Sequence, residues 1–179
     1  MFKPKNAAPR LLLATLAAAI ALSAFAPHLA GAAVYSNGSK NTTFDVTVTI
    51  IADCTIAASN LNFGSSQGVL ATAVTANTSL NVTCTNTTPY NVGLSSGTGT
   101  GSSGTTRFMS GTGVNTDTLA FNLFQASGNT IWGNTQGTDT KSGSGNGVAQ
   151  SITVYGQIPV QTTPQPDSYK STITATVYF

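Results

Sequence analysis

Few residues in this sequence could carry acid–base or nucleophilic chemistry. It contains one histidine, His28, no glutamate, and five aspartates scattered along the chain: Asp45, Asp53, Asp117, Asp139 and Asp167. A serine nucleophile needs a base to activate it, and glycoside hydrolysis needs a paired acid and base. Neither arrangement is present, and Asp-x-Asp calcium spacing is also missing. The sequence therefore predicts a protein that is not an enzyme and that has no metal or cofactor.

Two other patterns could bind a ligand. Gly99, Gly101 and Gly104 match the spacing of a dinucleotide fingerprint, but that motif must join a strand to a helix. Here it lies in a Gly/Ser/Thr run with no helix predicted after it, which favours a flexible loop. Trp132, Tyr90 and Tyr155 could form a sugar-stacking platform, although single aromatic residues in strands are more often core residues.

The first 32 residues have the composition of a secretory signal peptide. Lys3, Lys5 and Arg10 precede an apolar run over residues 11–26, and Ala-Gly-Ala at 30–32 is a typical cleavage site. The chain has seven basic and five acidic residues. Removing the three basic residues of the signal leaves four against five, a net charge of −1. We therefore expect an exported protein that does not bind nucleic acid, since no basic patch remains.

The remainder of the chain shows the alternation and the turn spacing of an all-β protein. Thr, Val and aromatic residues recur in short segments separated by Gly, Asn and Ser, which predicts an antiparallel sandwich or barrel. Residues 97–106 and 135–147 are predicted loops. Cys54 and Cys84 form an even pair, which in an exported chain predicts a disulfide rather than two buried free thiols.

Two segments near the ends of this region alternate most clearly. In residues 43–50, apolar side chains alternate with Asp and Thr; the apolar residues are Phe44, Val46, Val48 and Ile50. Residues 169–179 are predicted to form the last strand, with one apolar face made of Ile173, Ala175, Val177 and Phe179. From the pattern alone, residues 43–50 would be the first strand of a complete sandwich.

Several motifs in order resemble the spore coat protein U domain family, which includes pilus subunits of archaic, Csu-type chaperone–usher systems. They are an alternating strand before the first cysteine, then CTI…LNFG, NVTC, YNVGLSSG, RFM, LAFNLF, WG, VYGQIPVQ and SYKSTITATVYF. One departure is Phe121, where tyrosine is expected. The resemblance covers nearly all of the chain after the signal peptide.

The resemblance implies an incomplete immunoglobulin-like β-sandwich that lacks its last strand and is completed by a donor strand. It divides the chain into a signal peptide at 1–32, a donor-strand extension at 33–52 and a pilin domain at 53–179. Phe44, Val46, Val48 and Ile50 would enter the groove of the next subunit. The edge strand with Ile173, Ala175, Val177 and Phe179 would border that groove and bind the chaperone.

The implied partners are a periplasmic chaperone, an outer-membrane usher and further copies of this or related subunits. The implied location is the periplasm and then the surface of a Gram-negative bacterium, with a role in adhesion and biofilm formation. Two alternatives remain open: a secreted spore-coat or matrix protein that uses the same export route, and a monomeric carbohydrate-binding sandwich.

Overall fold

A computed structural model describes residues 38–65, 68–127 and 129–179 of the chain. The predicted signal peptide and residues 33–37 lie outside the described residues. The chain divides into two units, Met1–Val46 and Thr47–Phe179, and the strands of the described residues all belong to the second. In the described part of the chain, no helix has the length and apolar character needed to cross a membrane.

Every regular element of the described residues is a β-strand. In chain order the strands are β1 Cys54–Ala58, β2 Val74–Cys84, β3 Pro89–Leu94, β4 Arg107–Gly111, β5 Thr118–Phe124, β6 Lys141–Ser144, β7 Gln150–Ile158, β8 Tyr169–Lys170 and β9 Ala175–Tyr178. They form a six-stranded sheet in the order β1-β2-β7-β5-β4-β8 and a three-stranded sheet in the order β6-β3-β9. All neighbours are antiparallel.

The longest ladder joins β2 to β7 in the middle of the six-stranded sheet. It runs from Val74 opposite Ile158 to Val82 opposite Gln150. Because successive side chains of a strand point to opposite faces, alternate residues such as Leu80, Val82 and Val154 are buried, and the residues between them face outwards. The three-stranded sheet adds Tyr90, Val92 and Leu94 to the same core.

Trp132 joins the two sheets from a short segment between them. Its indole N–H donates to the carbonyl of Val92 in β3 at 2.7 Å, and its backbone N–H donates to Leu123 in β5 at 2.9 Å. Its exposed fraction is 0 %, and Tyr90 is also buried. The core interpretation is therefore correct for Trp132 and Tyr90, whereas Tyr155 is only partly buried and alternates with the inward residues Val154 and Gly156 of β7.

Several element boundaries differ from those predicted. β2 is one strand although residues 68–76 and 79–85 predicted two, because Asn77 and Thr78 continue the ladder with β7. β6 lies inside the predicted loop 135–147, where its small residues pair with β3. β4 follows the glycine pattern at residues 99–104, so a strand stands where a dinucleotide site needs a helix.

The predicted last strand is divided between the two sheets. β8 pairs with β4 in the six-stranded sheet, and β9 pairs with β3 in the three-stranded sheet. Residues 171–174 between them bond to polar side chains instead of a strand ladder: Thr172 N–H donates to Thr98 Oγ1, and Thr174 N–H donates to Ser95 Oγ. The chain therefore crosses from one sheet to the other at this point.

Candidate functional site: an apolar groove beside an open strand edge

The free edge of β9 is the feature from which the site is built. β9 pairs with β3 through the register Asn91–Tyr178 to Leu94–Ala175, and no other described strand pairs with its second edge. β1 is one of the two edge strands of the other sheet, and it contacts β9 without pairing with it. The sandwich is therefore open along the seam between its first and last strands.

A cavity of about 630 Å³ lies in this seam. Residues 58–63, which begin at the last residue of β1, line one side, and residues 170–173 together with Ala175, the first residue of β9, line the other. The floor is apolar and made of core side chains: Leu80, Leu94, Met109, Phe121, Leu123 and Val154. We call this cavity and its two walls the groove. It can receive an extended segment with apolar side chains on one face.

A second cavity of about 610 Å³ continues the groove towards one end of the sandwich. The two cavities share Leu61, Asn62, Phe63 and Met109, and the second is further lined by Leu119 and Ile158 and by the residues around Tyr169. Leu119 and Ile158 extend the apolar surface, and polar residues such as Thr163, Gln165 and Asp167 also line this second cavity.

The first wall lies against the six-stranded sheet at a glycine. A Cβ added at Gly156 would stand 2.5 Å from Leu61 Cδ2 and 2.8 Å from Phe63 Cζ. Leu61 and Phe63 therefore pack directly on the backbone of β7, which only a glycine permits at this distance. This contact fixes the depth at which the first wall lies over the core.

Polar side chains of the loop after β3 fix the second wall. Ser95 N–H donates to the carbonyl of Thr174 at 2.9 Å, and Thr174 N–H donates to Ser95 Oγ at 2.9 Å. Ser171 Oγ accepts from the backbone N–H groups of Thr98 and Gly99, at 3.2 and 3.3 Å. These bonds lie on the side of the segment that faces β3.

The predicted donor anchors lie outside any strand in this structure. Residues 38–53 contain no regular secondary structure. The exposed fractions are 82 % for Phe44, 85 % for Val46, 83 % for Val48 and 76 % for Ile50. Ile51 is also exposed, although it breaks the alternation. The anchor assignment stays a prediction.

The predicted disulfide is present. Cys54, the first residue of β1, is bonded to Cys84, the last residue of β2, with an S–S distance of 2.02 Å. The two residues are directly opposite each other in the β1–β2 ladder. Asp53 and Thr85 continue this pairing, because Thr85 N–H donates to the carbonyl of Asp53 at 3.0 Å.

The four predicted edge residues do not share one environment. Ile173, Ala175 and Val177 are partly buried against the core, and the first two line the groove. Val177 lies opposite Val92 in the β3–β9 ladder. Phe179 is 59 % exposed. Their role in binding a chaperone or a donor strand stays a prediction.

The sequence interpretation missed the residues that fix the second wall. Ser95, Thr98 and Ser171 lie in stretches rich in small polar residues and carry no periodic signal. Arg107 was noted only as part of the motif RFM, yet it is buried at the start of β4. An arginine directly before a run of partly apolar strand residues could have indicated a buried cation, but not its partners.

Charge plays little part in the floor of the groove, because its side chains are apolar; Lys170 lies on the second wall. Burial lowers the pKa of Arg107 to about 10, and the negative charge of Asp139 opposes this shift. The guanidinium is thus protonated at neutral pH. In the described residues, no group of three or more His, Cys, Asp or Glu side chains is placed to hold a metal ion.

Comparison with solved structures supports the fold. The chain is similar to the CsuC–CsuE chaperone–tip adhesion subunit pre-assembly complex from archaic chaperone–usher Csu pili of Acinetobacter baumannii, with 24 % identity and a TM-score of 0.55. The match covers 73 % of this chain and 41 % of that chain, so this chain spans about two-fifths of its length. This likeness and the open sandwich confirm the predicted fold class of an incomplete immunoglobulin-like β-sandwich.

A weaker structural match and a family match complete the comparisons. The minor tip subunit HdaB of the E. coli Hda pilus matches with 16 % identity and a TM-score of 0.37 over 69 % of this chain and 78 % of that chain, too low to support an argument. No curated protein matches the sequence significantly. The profile of the Spore Coat Protein U domain matches residues 40–176. The chain therefore belongs to the Spore Coat Protein U domain family.

Proposed function

We propose that this protein is a structural subunit of a bacterial surface pilus that polymerises by donor-strand exchange. The observation that carries the proposal is the unpaired edge of β9 beside an apolar groove. In the same chain, residues 43–50 expose alternate apolar side chains. The free edge of β9 in one copy of the chain lacks a partner strand, and residues 43–50 of another copy have the pattern of such a strand. The two are therefore complementary.

The groove fits one added strand. A strand on the free edge of β9 would become the fourth strand of the three-stranded sheet and would bond to the free backbone groups of β9. Its inward side chains would contact the floor residues between the two walls. Strand addition of this kind is an established mode of peptide recognition and of pilin assembly.

Burial of the four anchors supplies the driving force. Each of them is at least three-quarters exposed before donation. Full burial of an aliphatic or aromatic side chain stabilises by about 1.5–3 kcal/mol, so four anchors contribute about 6–12 kcal/mol before the entropy of ordering the strand is subtracted. Backbone hydrogen bonds to β9 would then fix the register.

The proposal includes the partners that such a subunit needs. An open groove with an apolar floor exposes the free subunit to aggregation, so a periplasmic chaperone would occupy it first. An outer-membrane usher would then exchange the chaperone for the extension of the next subunit. The product would be a fibre on the cell surface that supports adhesion and biofilm formation.

The alternatives are less well supported. A monomeric sugar-binding sandwich would need a group of exposed aromatic faces, but two of the three candidates, Trp132 and Tyr90, are buried and only Tyr155 is partly exposed. A coat or matrix protein assembled by the same route would use the same groove and extension. Electron microscopy of the cell surface distinguishes a pilus subunit from a coat protein, since a pilus appears as discrete fibres and a coat as a continuous layer.

The direct test removes the extension and supplies it separately. A chain without residues 33–52 should reach the periplasm but form no fibres. A synthetic peptide of residues 43–52 should bind this chain and raise its Tm, because a ligand that binds only the folded state stabilises it. A peptide with the same composition in scrambled order is the control. Fibres from the shortened chain would contradict the proposal.

A further inference from the structure

The buried arginine at the start of β4 has a role that core packing does not explain. Arg107 is 1 % exposed. Its Nε–H donates to the carbonyl of Ser95 at 3.0 Å. Its Nη2 donates to the carbonyls of Leu94 and Trp132 at 2.9 and 2.6 Å. Its Nη1 makes a longer contact of 3.5 Å with the carbonyl of Thr105.

These bonds cross the sandwich. β4 belongs to the six-stranded sheet, whereas Leu94 is the last residue of β3 in the three-stranded sheet. Burying a guanidinium is costly unless hydrogen bonds replace its hydration. The planar fork of donors suits several carbonyls at once, which a lysine cannot reproduce. A neutral apolar residue would fill the same core position without this cost.

The acceptors of Arg107 lie directly next to the second wall of the groove. Leu94 is opposite Ala175 in the β3–β9 ladder. Ser95 accepts from Arg107 through its carbonyl and makes both of its remaining polar contacts with Thr174, through its N–H and its Oγ. Two hydrogen-bonded steps therefore connect the guanidinium to the residues that lead into β9.

We propose that Arg107 is a positioning residue for the groove: by holding the carbonyls of Leu94 and Ser95 it sets the position of residues 171–175, and so determines how well the groove accepts a donor strand. This inference rests on the proposed function. It differs from a general role in stability because it predicts a local effect, confined to the second wall and β9.

The test uses the chain without residues 33–52, so that no copy fills the groove with its own extension; the described part of the removed segment, residues 38–52, is exposed and belongs to no strand. This chain is compared with its Arg107→Lys, Ser95→Ala and Val82→Ala variants. Arg107→Lys keeps the charge and removes the fork, and Ser95→Ala removes only the hydroxyl bond to Thr174. Val82 is fully buried and does not line the groove, so Val82→Ala is a matched core-destabilising control. The measurements are hydrogen exchange of backbone amides and the affinity for the peptide of residues 43–52 added in trans.

We expect Arg107→Lys to accelerate exchange in residues 174–178 while β2 and β7 keep their protection, and to weaken peptide binding at least tenfold. Ser95→Ala should act in the same direction with a smaller effect, and it decides the question if Arg107→Lys does not fold. Val82→Ala should change peptide affinity less than threefold. A uniform increase of exchange like that of Val82→Ala, or unchanged peptide affinity, overturns the inference and leaves the proposed function intact. If the shortened chain without a further substitution binds no peptide, the proposed function itself fails.

Discussion

Replacing Val48 with aspartate tests both the donor-strand proposal and its register. Val48 is 83 % exposed in the free chain, so Val48→Asp should have almost no effect on folding, export or the Cys54–Cys84 bond. In a fibre the same side chain would face the apolar floor of a neighbouring subunit. The substitution therefore introduces a charge that becomes buried only on assembly.

The expected magnitude follows from two contributions. Loss of the buried valine removes about 1.5–3 kcal/mol, and an unpaired buried carboxylate costs about 3–5 kcal/mol. Together they weaken donation by at least about 4.5 kcal/mol. Since 1.4 kcal/mol corresponds to a factor of ten, the donor affinity should fall by about three orders of magnitude or more.

The assay is the yield of polymer ladders in unheated electrophoresis samples, with electron microscopy of the fibres. The matched control is Thr47→Asp, which adds the same charge to the adjacent residue on the face predicted to point to solvent. Polymerisation should be abolished by Val48→Asp and retained by Thr47→Asp. Normal fibres from Val48→Asp, or the reverse pattern between the two variants, would refute the reasoning about the anchor face.

Three further predictions concern the domain itself. Replacing both Cys54 and Cys84 with serine should lower the free energy of unfolding by about 3–4 kcal/mol, as expected for a closed loop of about 30 residues. The measurement is a denaturant titration of the peptide-bound chain. An unchanged titration midpoint would contradict this prediction. Gly156→Ala should lower the free energy of unfolding by about 1–3 kcal/mol in the same titration, because the new methyl group overlaps Leu61 and Phe63. It should also weaken donor-peptide binding, because it displaces the first wall. A stabilised variant would show that the wall adapts freely. The pKa of Arg107 is lowered to about 10 in the folded chain, so the unfolded chain binds more protons than the folded chain only above about pH 10. The difference in unfolding free energy between wild type and Arg107→Met should therefore stay constant from pH 6 to 9. A slope of this difference in that range would show that Arg107 is neutral when folded.

The all-β class was accessible from the sequence because it depends on period-two alternation, whereas the incomplete immunoglobulin-like form was implied by the family resemblance and not by the pattern. Segments such as residues 79–85 and 149–160 alternate clearly, and the structure places them in β2 and β7. The cysteine pair was equally direct, since two cysteines in an exported chain leave one intramolecular pairing.

The division of the last predicted strand was not accessible from the sequence. Residues 172–179 alternate without interruption, and nothing in the pattern shows that Thr172 and Thr174 bond to side chains of a distant loop. The contacts of Arg107 were hidden for the same reason: they go to backbone carbonyls, which every residue carries. β6 was missed because its residues, Lys141 to Ser144, resemble a loop in composition and form a strand only through pairing with β3.

The position of the disulfide bears on how the domain responds to mechanical load. Cys54 is the first residue of an edge strand that has a partner on one side only, and the segment before it is the one proposed to link subunits. Without the covalent bond, tension on that segment would open the β1–β2 ladder one pair at a time from its end. With Cys54 bonded to Cys84, the pull passes through the covalent bond into β2, which is paired with β1 on one side and with β7 on the other, so β1 cannot be peeled away from its end.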